Sequence, residues 1–239
     1  MFTKKLISVA EQNEATRGII TERSAITLER LSAHLQETNK ALNLTAIKDE
    51  DGIILKHIVD SCAVVPFIKE GSRVCDIGCG GGFPSLVIAI VRPDVDVFAV
   101  DSVSKKVNYV KETATLLGLR NVSVSNERAE VIGQGKLRES FDFACARAVG
   151  RLNLICELCL PLVKVGGAFL AMKSVSTNEE LDEAQNAISA LGGKVERVFS
   201  YTLTNGTEVL ERSIIVIKKV KETPRTYPRN NSQISKKPL

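Results

Sequence analysis

The stretch Val74-Cys75-Asp76-Ile77-Gly78-Cys79-Gly80-Gly81-Gly82-Phe83-Pro84 decides how this 239-residue chain is read. A β-type run, Arg73–Ile77, ends in it. Four of the chain's 16 glycines then fall within five positions, which lets the backbone come close to a ligand. Pro84 stands where a helix would begin, a place that suits its fixed φ and missing N–H. Strand, glycine turn and helix together point to a nucleotide-binding α/β sheet.

Further β-type runs over 95–100, 122–125, 141–146 and 168–172 alternate with helical stretches over 84–91, 104–117, 152–163 and 178–191. In 104–117, Val107, Val110, Ala114 and Leu117 follow Val103 along one face, and Gly118 supplies a stop. Strict alternation implies a parallel, doubly wound sheet with ligands beyond the carboxyl ends of its strands. After 194–201, Thr204-Asn205-Gly206-Thr207 leads into 209–218, and Asn-Gly between two β-type runs signals a hairpin. A parallel sheet finishing in an antiparallel pair is unlike a dehydrogenase domain. It fits a class I S-adenosylmethionine-dependent methyltransferase core, a Rossmann-like α/β fold of seven strands.

Residues 1–70 read as a helical extension, with Ile26, Leu28, Leu31 and Leu35, then Ile54, Ile58 and Cys62, near helical spacing. Three units are therefore expected: helices in 1–70, the core in 71–220 and a tail in 221–239. From Lys218 to Leu239 there are seven basic residues against one acid, whereas the preceding 217 residues carry 25 basic and 27 acidic groups. Basicity gathered at one end points to a polyanion such as nucleic acid, or to no more than a solvated tail. No apolar run approaches the ~18–20 residues of a membrane span, and no secretory signal is read, so a cytoplasmic protein is expected. A monomer is expected too, although no feature of the sequence reports oligomeric state. The six cysteines are expected as reduced, buried apolar groups; Cys156-x-x-Cys159 lies in a helix without a partner pair, so no metal is expected. The absence of Trp and 5% aromatics disfavour a carbohydrate platform.

The candidate site follows the strand ends. Phe83 fills the place where a Gly78-x-Gly80-x-x dinucleotide fingerprint wants a small residue, a bulk that an S-adenosylmethionine loop tolerates. Asp101, 25 residues after Asp76, sits where a carboxylate accepts both ribose hydroxyls, a contact common to NAD and the methyl donor. Ala129 and Glu130 follow the third strand, beside the expected adenine. Arg147 ends the fourth strand, where amino-methylating enzymes carry an Asn/Asp-Pro-Pro-aromatic tetrad that this chain lacks. No Pro-Cys pair offers a nucleophile for pyrimidine C5. A guanidinium there suits a carboxylate or phosphate. The competing readings are a nicotinamide-dependent oxidoreductase and an RNA-binding protein on the same fold without catalysis.

Several motifs are more specific: Asn39, Asn43-Leu44-Thr45-Ala46-Ile47, His57-x-x-Asp60-Ser61, Asp101-Ser102-x-x-Lys105-Lys106, Arg128-Ala129-Glu130, Arg147-Ala148-Val149 and Tyr227-Pro228-Arg229. With the glycine loop they make the chain resemble, nearly end to end, the glucose-inhibited division protein B family, also called RsmG. The resemblance implies methylation of guanine N7 in 16S ribosomal RNA, free or within a small-subunit particle. It places the donor on Gly78, Phe83, Ala129, Glu130 and Arg147; Gly80 and Asp101 rest on the fold argument. Lys105, Lys106, Lys173, Arg212 and Arg229 are the candidates for RNA phosphates.

Overall fold

The computed structural model describes residues 1–174 and 177–239, with the backbone alone at Thr177 and Asn178. At the N-terminal end, α1 (Phe2–Gln12) and α2 (Glu22–Leu42) precede α3 (Glu50–Gly52), which runs through a π-helical turn, Ile53–Val59, into α4 (Asp60–Cys62). Then β1 (Arg73–Ile77), β2 (Asp96–Val100), β3 (Val122–Ser125), β4 (Phe141–Arg147) and β5 (Val163–Lys173) alternate with α5 (Ser85–Val91), α6 (Ser104–Leu117), α7 (Ala129–Gln134) and α8 (Leu152–Cys159). After α9 (Thr177–Ala190) come the strands β6 (Gly193–Thr204) and β7 (Val209–Lys219), and finally α10 (Asn231–Lys236). The strands form one sheet in the order β3-β2-β1-β4-β5-β7-β6, with β1 to β5 parallel and β7 antiparallel to both β5 and β6. The expected sheet and its closing hairpin are borne out.

β1 is buried from Val74 to Ile77 because helices cover both sheet faces, so that even its Asp76 is out of solvent. Val74 joins a cluster with Ile88 and Val97, whereas Cys75 and Ile77 point the other way, toward Leu152, Ile155 and Phe169. α2 starts in a capping box, Thr21 Oγ1 accepting from Ser24 N at 3.2 Å and Ser24 Oγ from Thr21 N at 2.9 Å. Its Leu28, Leu31 and Leu35 are fully buried with Leu86, Val87 and Tyr109 in one cluster, each contributing roughly 1.5–3 kcal/mol. The N-terminal helices thus share a core with α5 and α6.

Four local expectations change. Ile26 is 57% exposed: two residues before Leu28, it lies on the opposite helix face. The helix expected over 152–163 stops at Cys159, because Pro161 cannot continue it, and Leu160–Leu162 is a 3-10 turn. β5 accordingly starts at Val163; a Cβ at Gly167 would come 2.3 Å from Asp142 O, so β4 and β5 meet there only through glycine. The short helix α7 is absent from the expected helices, although Glu130 stands in its first turn, where an acid suits a helix start.

The tail is folded onto the core. Arg138 donates to the carbonyls of Gly133, Tyr227, Thr223 and Pro224, and Gln134 Nε2 donates to Pro228 O at 2.7 Å. Lys219, buried, donates to Leu160 O, Val163 O and Thr223 Oγ1 and lies 2.9 Å from Glu139 Oε1. Ile234 of α10 is buried. A solvated tail is therefore not what the chain makes.

Candidate functional site

The glycine loop leaves the end of β1 and is held against β2: Gly78 N and Cys79 N both donate to Val100 O, at 2.8 and 3.0 Å. Gly78 has φ +75 and Gly80 φ +56, a left-handed backbone that favours glycine. A Cβ at Gly80 would meet nothing nearer than Gly78 O at 3.9 Å, so this side of the loop borders open space. That space is a cleft of about 680 Å³, within the size range of small-molecule sites. Gly78, Gly80, Phe83, Lys106, Arg147, Lys173 and Arg212 all border it.

Asp101 stands behind the loop. Its Oδ2 accepts from Gly80 N at 3.0 Å and its Oδ1 from Val103 N at 2.9 Å, so one lone-pair site on each oxygen stays available. Lys106 Nζ lies 4.0 Å from Oδ2. Ala129 and Glu130, both buried, open α7 after β3; Asn126, in the same connection, donates to Asp101 O at 3.0 Å. Neither they nor Asp101 border the cleft itself.

Beneath the loop, Asp76 is fully buried, and its Oδ2 accepts from the Ser85 N–H at 3.1 Å and from the Ser85 hydroxyl. Burial pushes its carboxyl up to about 6 despite these bonds.

On the opposite wall the sequence names Arg147 and Arg212 but gives no role to Lys56, His57 or Asp60. The π-helical turn brings Lys56 and His57, with Asp60 just beyond, against the end of β4. Arg147 Nη1 donates to Lys56 O at 2.7 Å and to Asp60 Oδ2 at 3.0 Å, and its Nη2 lies 3.3 Å from His57 Nδ1. Among the described residues two of its five N–H groups are left for a ligand. Arg212 Nε reaches the other Asp60 oxygen at 3.2 Å. His57 stacks on Phe83, ring centroids 4.7 Å apart, and its Nε2 lies 2.8 Å from Thr45 Oγ1. Burial, with the Arg147 charge beside it, pushes the imidazole down to about 3, so it is neutral. Thr45, His57 and Asp60 stood in sequence motifs without a role; only their convergence on Arg147 gives them one.

The cations divide. Lys105 is exposed and donates to Leu42 O at 3.1 Å. Lys173 is paired with Glu180 Oε2 at 2.5 Å and donates to Gly150 O. Arg229 lies away from the cleft: its Nη2 is 2.6 Å from Oε2 of the fully buried Glu157, so the guanidinium is committed to the fold. All six cysteines are free and buried, which raises their thiol pKa values. No helix of the described residues is long and apolar enough to cross a membrane.

Known proteins bear on this arrangement. Among solved structures, a SAM-dependent methyltransferase from Aquifex aeolicus superimposes with a TM-score of 0.54 at 20% identity, over 73% of this chain and 96% of that one. A SAM-dependent O-methyltransferase from Thermotoga maritima gives a TM-score of 0.52 at 20% identity, over 80% and 72%. At such identities the likeness concerns the fold. A protein of Caldicellulosiruptor bescii named ribosomal RNA small subunit methyltransferase G is 46% identical over 209 residues, 85% of this chain and 87% of its own length. One of the same name from Staphylococcus aureus is 41% identical over 233 residues, 97% of each chain. The family model described as GidB, rRNA small subunit methyltransferase G, matches residues 25–210, and the chain belongs to that family.

Proposed function

We propose that this protein transfers the methyl group of S-adenosylmethionine to N7 of a guanine in 16S ribosomal RNA. The observation that carries the reading is the cleft itself, with the open side of the glycine loop on one wall and Arg147 on the other. The RNA class comes from the name its relatives bear.

Gly78, Gly80 and Phe83 would seat the donor's amino-acid and adenosyl parts, and Asp101 its ribose hydroxyls through the lone pairs left on each oxygen. Ala129 and Glu130 would lie beside the adenine. The two remaining N–H groups of Arg147 suit a carboxylate. When bound, S-adenosylmethionine supplies an electrophilic methyl group on a sulfonium. Guanine N7 has an in-plane lone pair and no proton, so in-line displacement needs no general base. His57 agrees with this: a neutral imidazole with both nitrogens engaged is poorly suited to taking up a proton. The chain's task is alignment, which in favourable systems contributes up to ~7–11 kcal/mol.

Lys105, Lys106, Lys173 and Arg212 are the cations we assign to RNA phosphates, whereas Arg229 is spent on Glu157. We take residues 1–70 as the substrate-side wall, 71–220 as the methyltransferase core and 221–239 as a brace, in a monomer acting in the cytoplasm on free RNA or a small-subunit particle.

The test is transfer of labelled methyl from S-adenosylmethionine to ribosomal RNA of a strain lacking this protein, with the modified base mapped. Label on guanine N7 of 16S RNA is expected. Label on carbon or an exocyclic amine, or none in 16S RNA, refutes the reading.

A further inference from the structure

The Asn43-Leu44-Thr45 stretch is fixed more firmly than a wall of the cleft requires. Asn39, buried, holds the backbone of Thr45 at both polar groups: Thr45 N donates to Asn39 Oδ1 at 2.9 Å, and Asn39 Nδ2 donates to Thr45 O at 2.8 Å. The Thr45 hydroxyl is then constrained by the inventory of its neighbours. Ile47 N donates to Oγ1 at 3.1 Å. His57 Nε2 is 2.8 Å from Oγ1, and His57 Nδ1 faces Arg147 Nη2 at 3.3 Å. A guanidinium only donates, so Nδ1 is the accepting nitrogen of the neutral ring and Nε2 carries the proton. Thr45 Oγ1 therefore accepts twice, which uses both of its lone pairs. Its own proton has no acceptor among the described residues, and Thr45 borders the cleft beside His57 and Phe83.

We propose that Thr45 is a specificity-determining residue: its hydroxyl donates a hydrogen bond to O6 of the target guanine, next to the N7 that takes the methyl group. The inference rests on the N7-guanine reading above. An acceptor at C6 distinguishes guanine from adenine, which presents an amino donor there, and a site built around such a contact rejects the base that lacks it. The chain Asn39–Thr45–His57–Arg147 then acts as one device, in which Arg147 sets the imidazole tautomer and the tautomer sets the direction of the threonine proton.

The experiment pairs two changes in a double-mutant cycle. Thr45→Val and Thr45→Ser are compared with the wild type on 16S RNA carrying either guanine or 2-aminopurine at the mapped position; 2-aminopurine keeps N7 and the 2-amino group but has hydrogen in place of O6 and no proton on N1, so the cycle with Thr45 assigns the O6 part of any loss. The wild type is expected to lose about tenfold in kcat/KM on 2-aminopurine, Thr45→Val to lose about tenfold on guanine and little more on 2-aminopurine, and Thr45→Ser to stay within about threefold of wild type on guanine. Donor affinity, read by calorimetry with S-adenosylhomocysteine, is expected to be unchanged in both variants. Multiplying losses, an unimpaired wild type on 2-aminopurine, or a donor-binding defect in Thr45→Val that accounts for its lost activity each overturns the proposal. If Thr45→Val folds poorly, the wild-type arm still tests the need for O6, because an unimpaired wild type on 2-aminopurine overturns the proposal. Wild-type transfer to guanine N7, seen in the same assay, keeps the underlying reading apart from this one.

Discussion

Asp60 Oδ2 lies 3.0 Å from Arg147 Nη1, and the carboxylate that makes this contact is almost wholly buried. Its other oxygen takes Arg212 at 3.2 Å, so one carboxylate from the N-terminal helices bridges two cations from β4 and β7 and leaves the trio with one net positive charge. The wall of the cleft is thus an ion cluster whose members come from three distant parts of the chain.

Asp60→Ala is expected to cost about 3–5 kcal/mol of stability, because two guanidinium groups would be left without their shared counter-charge. Denaturant unfolding reads this directly. Loss of less than about 1 kcal/mol would mean that solvent already screens the cluster.

Arg147→Lys is expected to weaken S-adenosylhomocysteine binding at least tenfold. An ammonium cannot reach Lys56 O, Asp60 and the imidazole together while presenting two further donors. Calorimetry checks it, and full affinity in the lysine variant would remove Arg147 from the donor site.

Asp101→Asn is expected to reduce donor affinity tenfold or more and to lower the melting temperature by roughly 2–4 °C, since about 1 kcal/mol goes with the weakened grip on Gly80 N and Val103 N. Unchanged affinity for the donor would refute the ribose assignment.

Two buried groups make opposite contributions to acid stability. Asp76 keeps its proton to about pH 6 when folded but loses it near 3.8 when unfolded. The folded state therefore binds more protons between these values, and this contribution falls as pH rises from about 4 to 6. His57 takes a proton near 6.5 when unfolded and only near 3 when folded, so its contribution is lost as pH falls through that window. In the wild type the two slopes oppose each other. Asp76→Asn is expected to gain stability relative to wild type as pH rises from 4 to 6.5, by about 3 kcal/mol in all. A difference in urea midpoint that stays flat with pH would contradict the burial account.

Arg229→Ala is expected to destabilise the protein by about 3 kcal/mol, because Glu157 is fully buried and Arg229 neutralises it, while leaving the salt dependence of RNA binding unchanged. Filter binding across a salt series checks the second part; a flatter slope would return Arg229 to the RNA surface.

The sheet was legible because short β-type runs alternate with stretches of helical periodicity and its turns are marked by glycine and Asn205-Gly206. The glycine-loop side of the cleft was legible for the same local reason, since Gly78, Gly80 and Phe83 are neighbours in sequence. The other wall was not. Nothing in the spacing of Thr45, His57 and Asp60 announces Arg147, which lies about 90 residues away and meets them only through the fold. Charge alone misled at Arg229, because a cation facing a buried carboxylate reads the same as one facing solvent.

α1 is joined to the far edge of the sheet: Asn13 and Thr204, 191 residues apart, exchange two hydrogen bonds of 2.8 Å. The β6–β7 hairpin that follows reaches Lys56 through Glu208 at 2.7 Å. Contacts of such separation bear the entropy of closing a very long loop before they return anything, so we expect them to form late in folding. In refolding kinetics, the far-ultraviolet signal of the sheet should therefore recover before the capacity to capture nucleoside.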